Sequence, residues 1–167
     1  MTLRRERLRD LLDYNHETGH FTWRIDRPGG VKKGDRAGCA QENGVGRSVF
    51  RRWQIVIDRK HYKAHRLAWF YVYGTWPKML DHINGNGHDN RISNLREATP
   101  ADNMANSLHP KGTTGFRGVS YYKNGYMAQI SVNGRSVYLG RFRTPEEAHE
   151  AWCRAAHKFR GDFARTD

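Results

Sequence analysis

The chain has 167 residues, 37% of them hydrophobic, with 29 Lys and Arg against 17 Asp and Glu, giving a formal net charge of +12. That length fits one ordinary domain or two small ones, and the low apolar share excludes one large core, although five Trp, eight Tyr and seven Phe can anchor two or three small ones. Such a charge calls for a polyanion, nucleic acid first, because Lys and Arg bind phosphates by releasing condensed counterions, whereas no long apolar run offers a membrane partner.

In chain order, TLRRERLRDLLDY sets Leu3, Leu8, Leu11 and Leu12 at helical spacing. These opening residues are charged throughout and lack the apolar region of a signal peptide, so an intracellular setting is expected. ETGHFTWRI reads as a turn at Gly19 leading into a strand, and PGGVKKGDRAG as an exposed loop. Trp53 to Ile57 form a β-rich run and Asp58 to Lys60 a turn. From Tyr62 the pattern allows either a second strand or the start of a helix. His65 to Tyr73 carries a buried helical pattern stopped by Gly74. The two cysteines, Cys39 and Cys153, form no CxxC pair, which argues against a four-cysteine zinc site and a disulfide framework. Both are expected as small core residues.

Further on, Thr99 and Pro100 start a short helix to about Ala105. Residues 109–115 read as a linker. FRGVSYYK, YMAQISV and RSVYLGRF are β-prone runs separated by Lys123-Asn124-Gly125 and Asn133-Gly134, hairpin signals that predict a three-stranded antiparallel meander. The helix of TPEEAHEAWCRAAHKFRG begins at a capping box, Thr144 with Glu147, and puts Ala148, Trp152, Ala155 and Phe159 on one face, with Gly161 as its stop.

Between the two halves stands LDHINGNGHDNRISNL, residues 80–95, crowded with short polar side chains. The glycines and asparagines allow a tight turn. The expected layout is a strand carrying Asp81 and His82, a loop, a second short strand, then a helix presenting Asn103. That arrangement suits metal-dependent phosphodiester hydrolysis. A hard cation such as Mg²⁺ takes oxygen ligands and retains waters, and a neutral histidine can accept a proton from the attacking water near neutral pH. As a calcium loop the stretch lacks the closing Glu.

DH, NG, DNR, NLR and the closing asparagines of residues 81–106 stand in the order found in the HNH endonucleases, and the stretch closely resembles their ββα-metal branch of phage and intron-encoded, homing-type enzymes. The resemblance implies His82 as general base, Asp81 and Asn103 as metal ligands, and Asn94 as the residue that orients the imidazole or braces the loop. The divalent metal is expected to be Mg²⁺, with Mn²⁺ as the alternative. His65 and Arg66, in the segment that precedes the motif, are candidates for active-site support. Residues 116–164 resemble the AP2/ERF DNA-binding domain through Arg117-Gly118-Val119, Leu139-Gly140, Glu146-Glu147-Ala148 and Arg160-Gly161. There the sheet enters the major groove. The implied DNA contacts are Arg117, Tyr122, Tyr126, Gln129, Arg135 and Tyr138, with Lys123, Arg141 and Arg143 near phosphates. Ser120 and Ser131 replace base-reading arginines, so the plant target sequence is not transferable.

The expected fold class is α+β, a ββα-metal nuclease core with a β-rich N-terminal segment, plus a small three-stranded antiparallel sheet backed by one helix. The expected domains are residues 1–62, a nuclease at 63–108, the linker, and a DNA-binding module at 116–167. The expected partner is double-stranded DNA, bound by a monomer or weak dimer encoded by a phage or mobile element and acting in a bacterial cytoplasm. A non-catalytic DNA-binding regulator is the competing reading.

Overall fold

The computed structural model describes residues 3–43, 50–106, 112–132, 134–164 and 166. Residues 109–111 of the expected linker and Asn133 of the second hairpin lie outside them. The chain divides into two compact units, Met1–Ala98 and Thr99–Asp167.

In the first unit, α1 (Arg5–Leu11) buries Leu8 and Leu11. It runs directly into β1 (Leu12–Tyr14), which pairs antiparallel with β2 (Phe21–Trp23) in the register Tyr14↔Phe21. The connecting turn is built by Asn15, whose Oδ1 accepts the N–H groups of Glu17 and Thr18, both at 2.9 Å. Gly19 closes it at φ +72°, a conformation glycine adopts without steric cost. A second sheet takes the order β3 (Cys39–Asn43), β4 (Phe50–Ile57), β5 (Lys60–Lys63). Ile55 and Ile57, two apart, point to the same side and are fully buried. Tyr62 belongs to β5, so its run is a strand. Cys39 is exposed on the edge strand β3, and Cys153 is only half-buried, which corrects the expectation of two core cysteines.

The helix α2 (Ala64–Tyr73) follows β5 without a break and ends at Gly74, whose φ of +76° and N–H bond to Phe70 O make a left-handed cap. Arg5 Nε and Arg9 Nη2 donate to Tyr71 O at 3.0 and 3.1 Å, and Arg5 also reaches Val72 O. These cations satisfy carbonyls that the last turn leaves bare and oppose the negative end of the helix dipole. The short strands β6 (Leu80–His82) and β7 (Leu95–Glu97) pair antiparallel, Asp81↔Arg96 and His82↔Leu95. One core joins Leu8, Phe21 and Ile55 to Leu67, Ala68 and Leu95, so residues 1–62 share their core with α2 and β7.

In the second unit, α3 (Pro100–Asn106) starts on a reciprocal cap, with Thr99 Oγ1 accepting from Asp102 N–H and Asp102 Oδ2 accepting from Thr99 N–H. The meander β8 (Val119–Tyr122), β9 (Gly125–Val132), β10 (Arg135–Phe142) forms as expected, with a bulge between Tyr138 and Gly140. It is backed by α4 (Pro145–Arg160), whose Thr144–Glu147 capping box is complete. Ala148, Trp152, Ala155 and Ala156 are buried. Phe159, expected in that core, is 44% exposed because it falls in the last turn of α4. Among the described residues no helix is long and apolar enough to cross a membrane.

Candidate active site

Asp81 and His82 are neighbours on β6, and both are buried. Their side chains leave the strand on opposite faces, as successive strand residues must. Asp81 meets its cross-strand partner on β7, with Arg96 Nε donating to Asp81 Oδ2 at 2.9 Å and Arg96 Nη2 in ion-pair contact with the same oxygen at 2.8 Å. A buried carboxylate needs such a partner, because desolvation without one costs several kcal/mol.

His82 Nε2 lies 3.2 Å from Asn90 Oδ1, and its ring meets the edge of His65 with centroids 5.2 Å apart at 68°. Burial is the main force lowering the His82 pKa, the positive charge of Arg52 adds to it, and the Asn90 hydrogen bond opposes it. His65 is driven further, to about 3, by burial first, then by His82 and the charges of Arg52, Lys63 and Arg66. Both imidazoles are therefore neutral near neutral pH. Arg66 reaches the turn before β6, donating to Pro77 O at 2.7 Å and Lys78 O at 3.3 Å. It supports the strand that carries the site.

The loop from Ile83 to Arg91 is held by amides. Asn84 N–H donates to Asn94 Oδ1, and Asn94 Nδ2 donates to Asn84 Oδ1 and Asp89 O, at 2.8–3.0 Å. Asp89 accepts from Asn84 Nδ2 and from Arg91 Nε and Nη2. The Arg91 hydrogen bond is the first cause holding the Asp89 carboxyl down at about 2. Asn94 thus braces the loop, and the amide bonded to the His82 ring is that of Asn90. Asn90 and Arg96 were not singled out in the sequence. The Asp-Asn-Arg run and the alternation along β7 are the signals that could have found them.

The HNH endonuclease family matches residues 62–105, from the end of β5 into α3. The Uncharacterized HNH endonuclease L560 of Acanthamoeba polyphaga mimivirus is 34% identical over 85 residues, 51% of this chain and 44% of that protein. Protein 3.8 of Escherichia phage T7 is 33% identical over 115 residues, 64% of this chain and 94% of that protein. Residues 62–105 form an HNH endonuclease domain. The chain spans less than half the length of the mimivirus relative. No solved structure matches it.

Within the HNH segment Asp81, His82 and Asn94 all lie in the first unit, and Asn103 stands on α3 in the second, its N–H bonded to Thr99 O at 3.0 Å. Among the described residues no group of three His, Cys, Asp or Glu side chains could hold an ion. The donor set of the motif is a carboxylate and an amide oxygen, which suits a hard cation that keeps waters rather than zinc.

In the second unit, the outer face of the sheet carries Tyr122, Gln129, Tyr138 and Arg141. The Arg141 guanidinium lies 5.1 Å from the Tyr122 ring centroid and Lys123 Nζ 5.6 Å from it. Tyr126 falls on the helix-backed side, where it packs on the Val119–Ala128–Ala148 cluster and pairs with the Tyr121 ring. Arg117 lies over the Trp152 indole at 5.1 Å. Arg135 opens β10 opposite Val132, and Arg143 N–H bonds Glu147 Oε2 beside the α4 cap.

Proposed function

We propose that this chain is a metal-dependent DNA endonuclease that hydrolyses phosphodiester bonds. The observation that carries the proposal is a buried, neutral His82 beside a buried Asp81, inside the segment that matches the HNH family. His82 acts as general base and takes a proton from a water molecule. The water oxygen bonds to phosphorus as the bond to the 3′ oxygen breaks, and that oxygen leaves as a 3′ hydroxyl after gaining a proton, with the 5′ phosphate on the other product. Asp81 is the carboxylate oxygen donor that would hold Mg²⁺, or Mn²⁺ in its place. When bound, the cation polarises the scissile phosphate and stabilises the leaving oxygen. Arg96 keeps the Asp81 carboxylate in register, and Asn94 keeps the loop closed.

The outer face of the β8–β10 sheet is the DNA-reading surface, similar in kind to an AP2/ERF sheet. Exposed Tyr122, Gln129 and Tyr138 would stand toward bases, with Lys123 and Arg141 toward phosphates. Placing the binding surface on a separate unit raises the local concentration of the nuclease at its target. One active site per chain cuts one strand at a time, so a monomer nicks and a weak dimer breaks both strands. The similarity to a phage T7 protein supports a phage or mobile-element origin and action in the cytoplasm of a host cell.

Supercoiled plasmid tests the reading. Conversion to open circle that requires Mg²⁺, stops with EDTA and is lost in His82→Ala is the expected result. Tight DNA binding without cleavage in Mg²⁺ or Mn²⁺ would overturn it in favour of a DNA-binding regulator.

A further inference from the structure

A general base must present its lone pair to the water it activates, and a neutral imidazole has only one to present. Which ring nitrogen carries the proton is set by the hydrogen bond the other makes. The partner of His82 Nε2 is Asn90 Oδ1, an amide oxygen that can only accept. Nε2 must then be the N–H, and the basic lone pair lies on Nδ1. We propose that Asn90 is a positioning residue that fixes the His82 tautomer, and that the β1–β2 hairpin holds Asn90 in place. The inference rests on the reading of His82 as general base.

Three observations tie the hairpin to Asn90. Asn90 is only 3% exposed although it belongs to no helix or strand, so its burial comes from what is packed on it. Its carbonyl oxygen accepts the Tyr14 hydroxyl in a buried hydrogen bond of 2.7 Å. The turn after Tyr14 presses on the same peptide unit. A Cβ on Gly19 would lie 2.5 Å from Asn90 C and 2.4 Å from Arg91 N, so only glycine permits this approach.

Tyr14 is itself fixed, its ring packed against Phe21, His16 and Tyr71. On the other side of Asn90, Asp89 is locked by Asn84 and Arg91. The backbone of Asn90 is thus clamped from both directions, and its side chain is left one task, the His82 ring. Tyr14 and Gly19 lie well before residue 62, where the family match begins. The N-terminal hairpin is therefore part of the machinery that makes His82 a base.

The test uses the full-length protein labelled with ¹⁵N-histidine near neutral pH, with His82 assigned by comparison with His82→Ala. The expected spectrum shows Nε2 protonated and Nδ1 with pyridine-like shift. Asn90→Leu, similar in shape but without the acceptor, should lose that tautomer preference. Its nicking rate at saturating protein should fall by about 10- to 100-fold, with DNA affinity unchanged. Asn90→Asp, which still accepts, should restore the tautomer and most of the rate. Tyr14→Phe, which leaves the amide in place but unclamped, should give a smaller loss of the same kind.

A wild-type His82 protonated at Nδ1 would overturn the proposal, whatever the variants do. So would an Asn90→Leu protein that keeps both rate and tautomer. Because the wild-type spectrum is read without cleavage, an inactive enzyme with the expected tautomer would count against the nuclease reading and leave the role of Asn90 standing.

Discussion

His65 makes the stability of the first unit depend on pH in a direction that can be worked out. Its folded pKa is about 3, against 6.5 for an ordinary histidine, and burial is the main cause. Between those values the unfolded chain binds a proton that the folded protein refuses, so stability rises with pH across the window. The contribution is fully present above the unfolded value and is lost progressively as pH falls toward 3. Each pH unit inside the window costs about 1.4 kcal/mol once the unfolded state is protonated. Over the range from about pH 6 to about pH 4 that amounts to roughly 3 kcal/mol, a large fraction of the 5–15 kcal/mol of a typical domain. His82, also lowered, adds in the same sense. The Asp89 carboxyl, lowered to about 2, acts only below its unfolded value of 3.8 and does not confuse the measurement. Urea unfolding of wild type and His65→Phe, followed by tryptophan fluorescence at a series of pH values, separates the terms. The phenylalanine ring keeps a contact with His82 but cannot take the proton, so its pH slope should be the shallower. Equal slopes for the two proteins, or stability that increases on acidification, would refute the reasoning.

Removing Arg96 should be severe, because Arg96→Ala strips a buried Asp81 of its ion-pair partner; about 3–5 kcal/mol is expected, read as a shift in the urea midpoint. Gly118→Ala would place a Cβ 2.0 Å from Trp152 Cδ1 at a φ of +72°, so the second unit should lose its near-ultraviolet tryptophan signal and its DNA affinity. On the outer sheet face Arg141→Ala should weaken DNA binding and lower the slope of log affinity against log salt by about one, while Tyr126→Phe, on the opposite side, should leave binding unaltered in a filter or anisotropy titration.

The Asp81–His82 pair and its strand, loop and strand were legible because the pattern is local and each residue type is tied to a task. So were α4 and the three-stranded meander, whose turn and capping residues speak for themselves. The strands β1 and β3 were not. Leu12–Tyr14 hides at the end of a helical pattern, and Cys39–Asn43 has no β-branched residue and is a strand only because β4 offers the pairing Cys39↔Gln54 and Gln41↔Arg52. The side taken by Tyr126 depended on the register Tyr121↔Tyr126, which no composition reveals. Asn90 was illegible for the same reason at greater range, since the tyrosine that buries it lies 76 positions earlier. Local chemistry could be read, whereas what long-range packing does to it could not.

The arginines of α1 that grip the Tyr71 and Val72 carbonyls join points more than sixty positions apart. Such a contact closes a long loop and gains its reward only after α2 exists. During synthesis the first helix must therefore wait for the chain that it will fasten. A shortened protein starting after residue 11 would keep Asp81, His82, Asn90 and Asn94, yet it would bare the end of α2 and uncover the core beneath Leu8 and Leu11. Loss of activity on trimming that end would thus report a missing fastener, not a missing catalytic group.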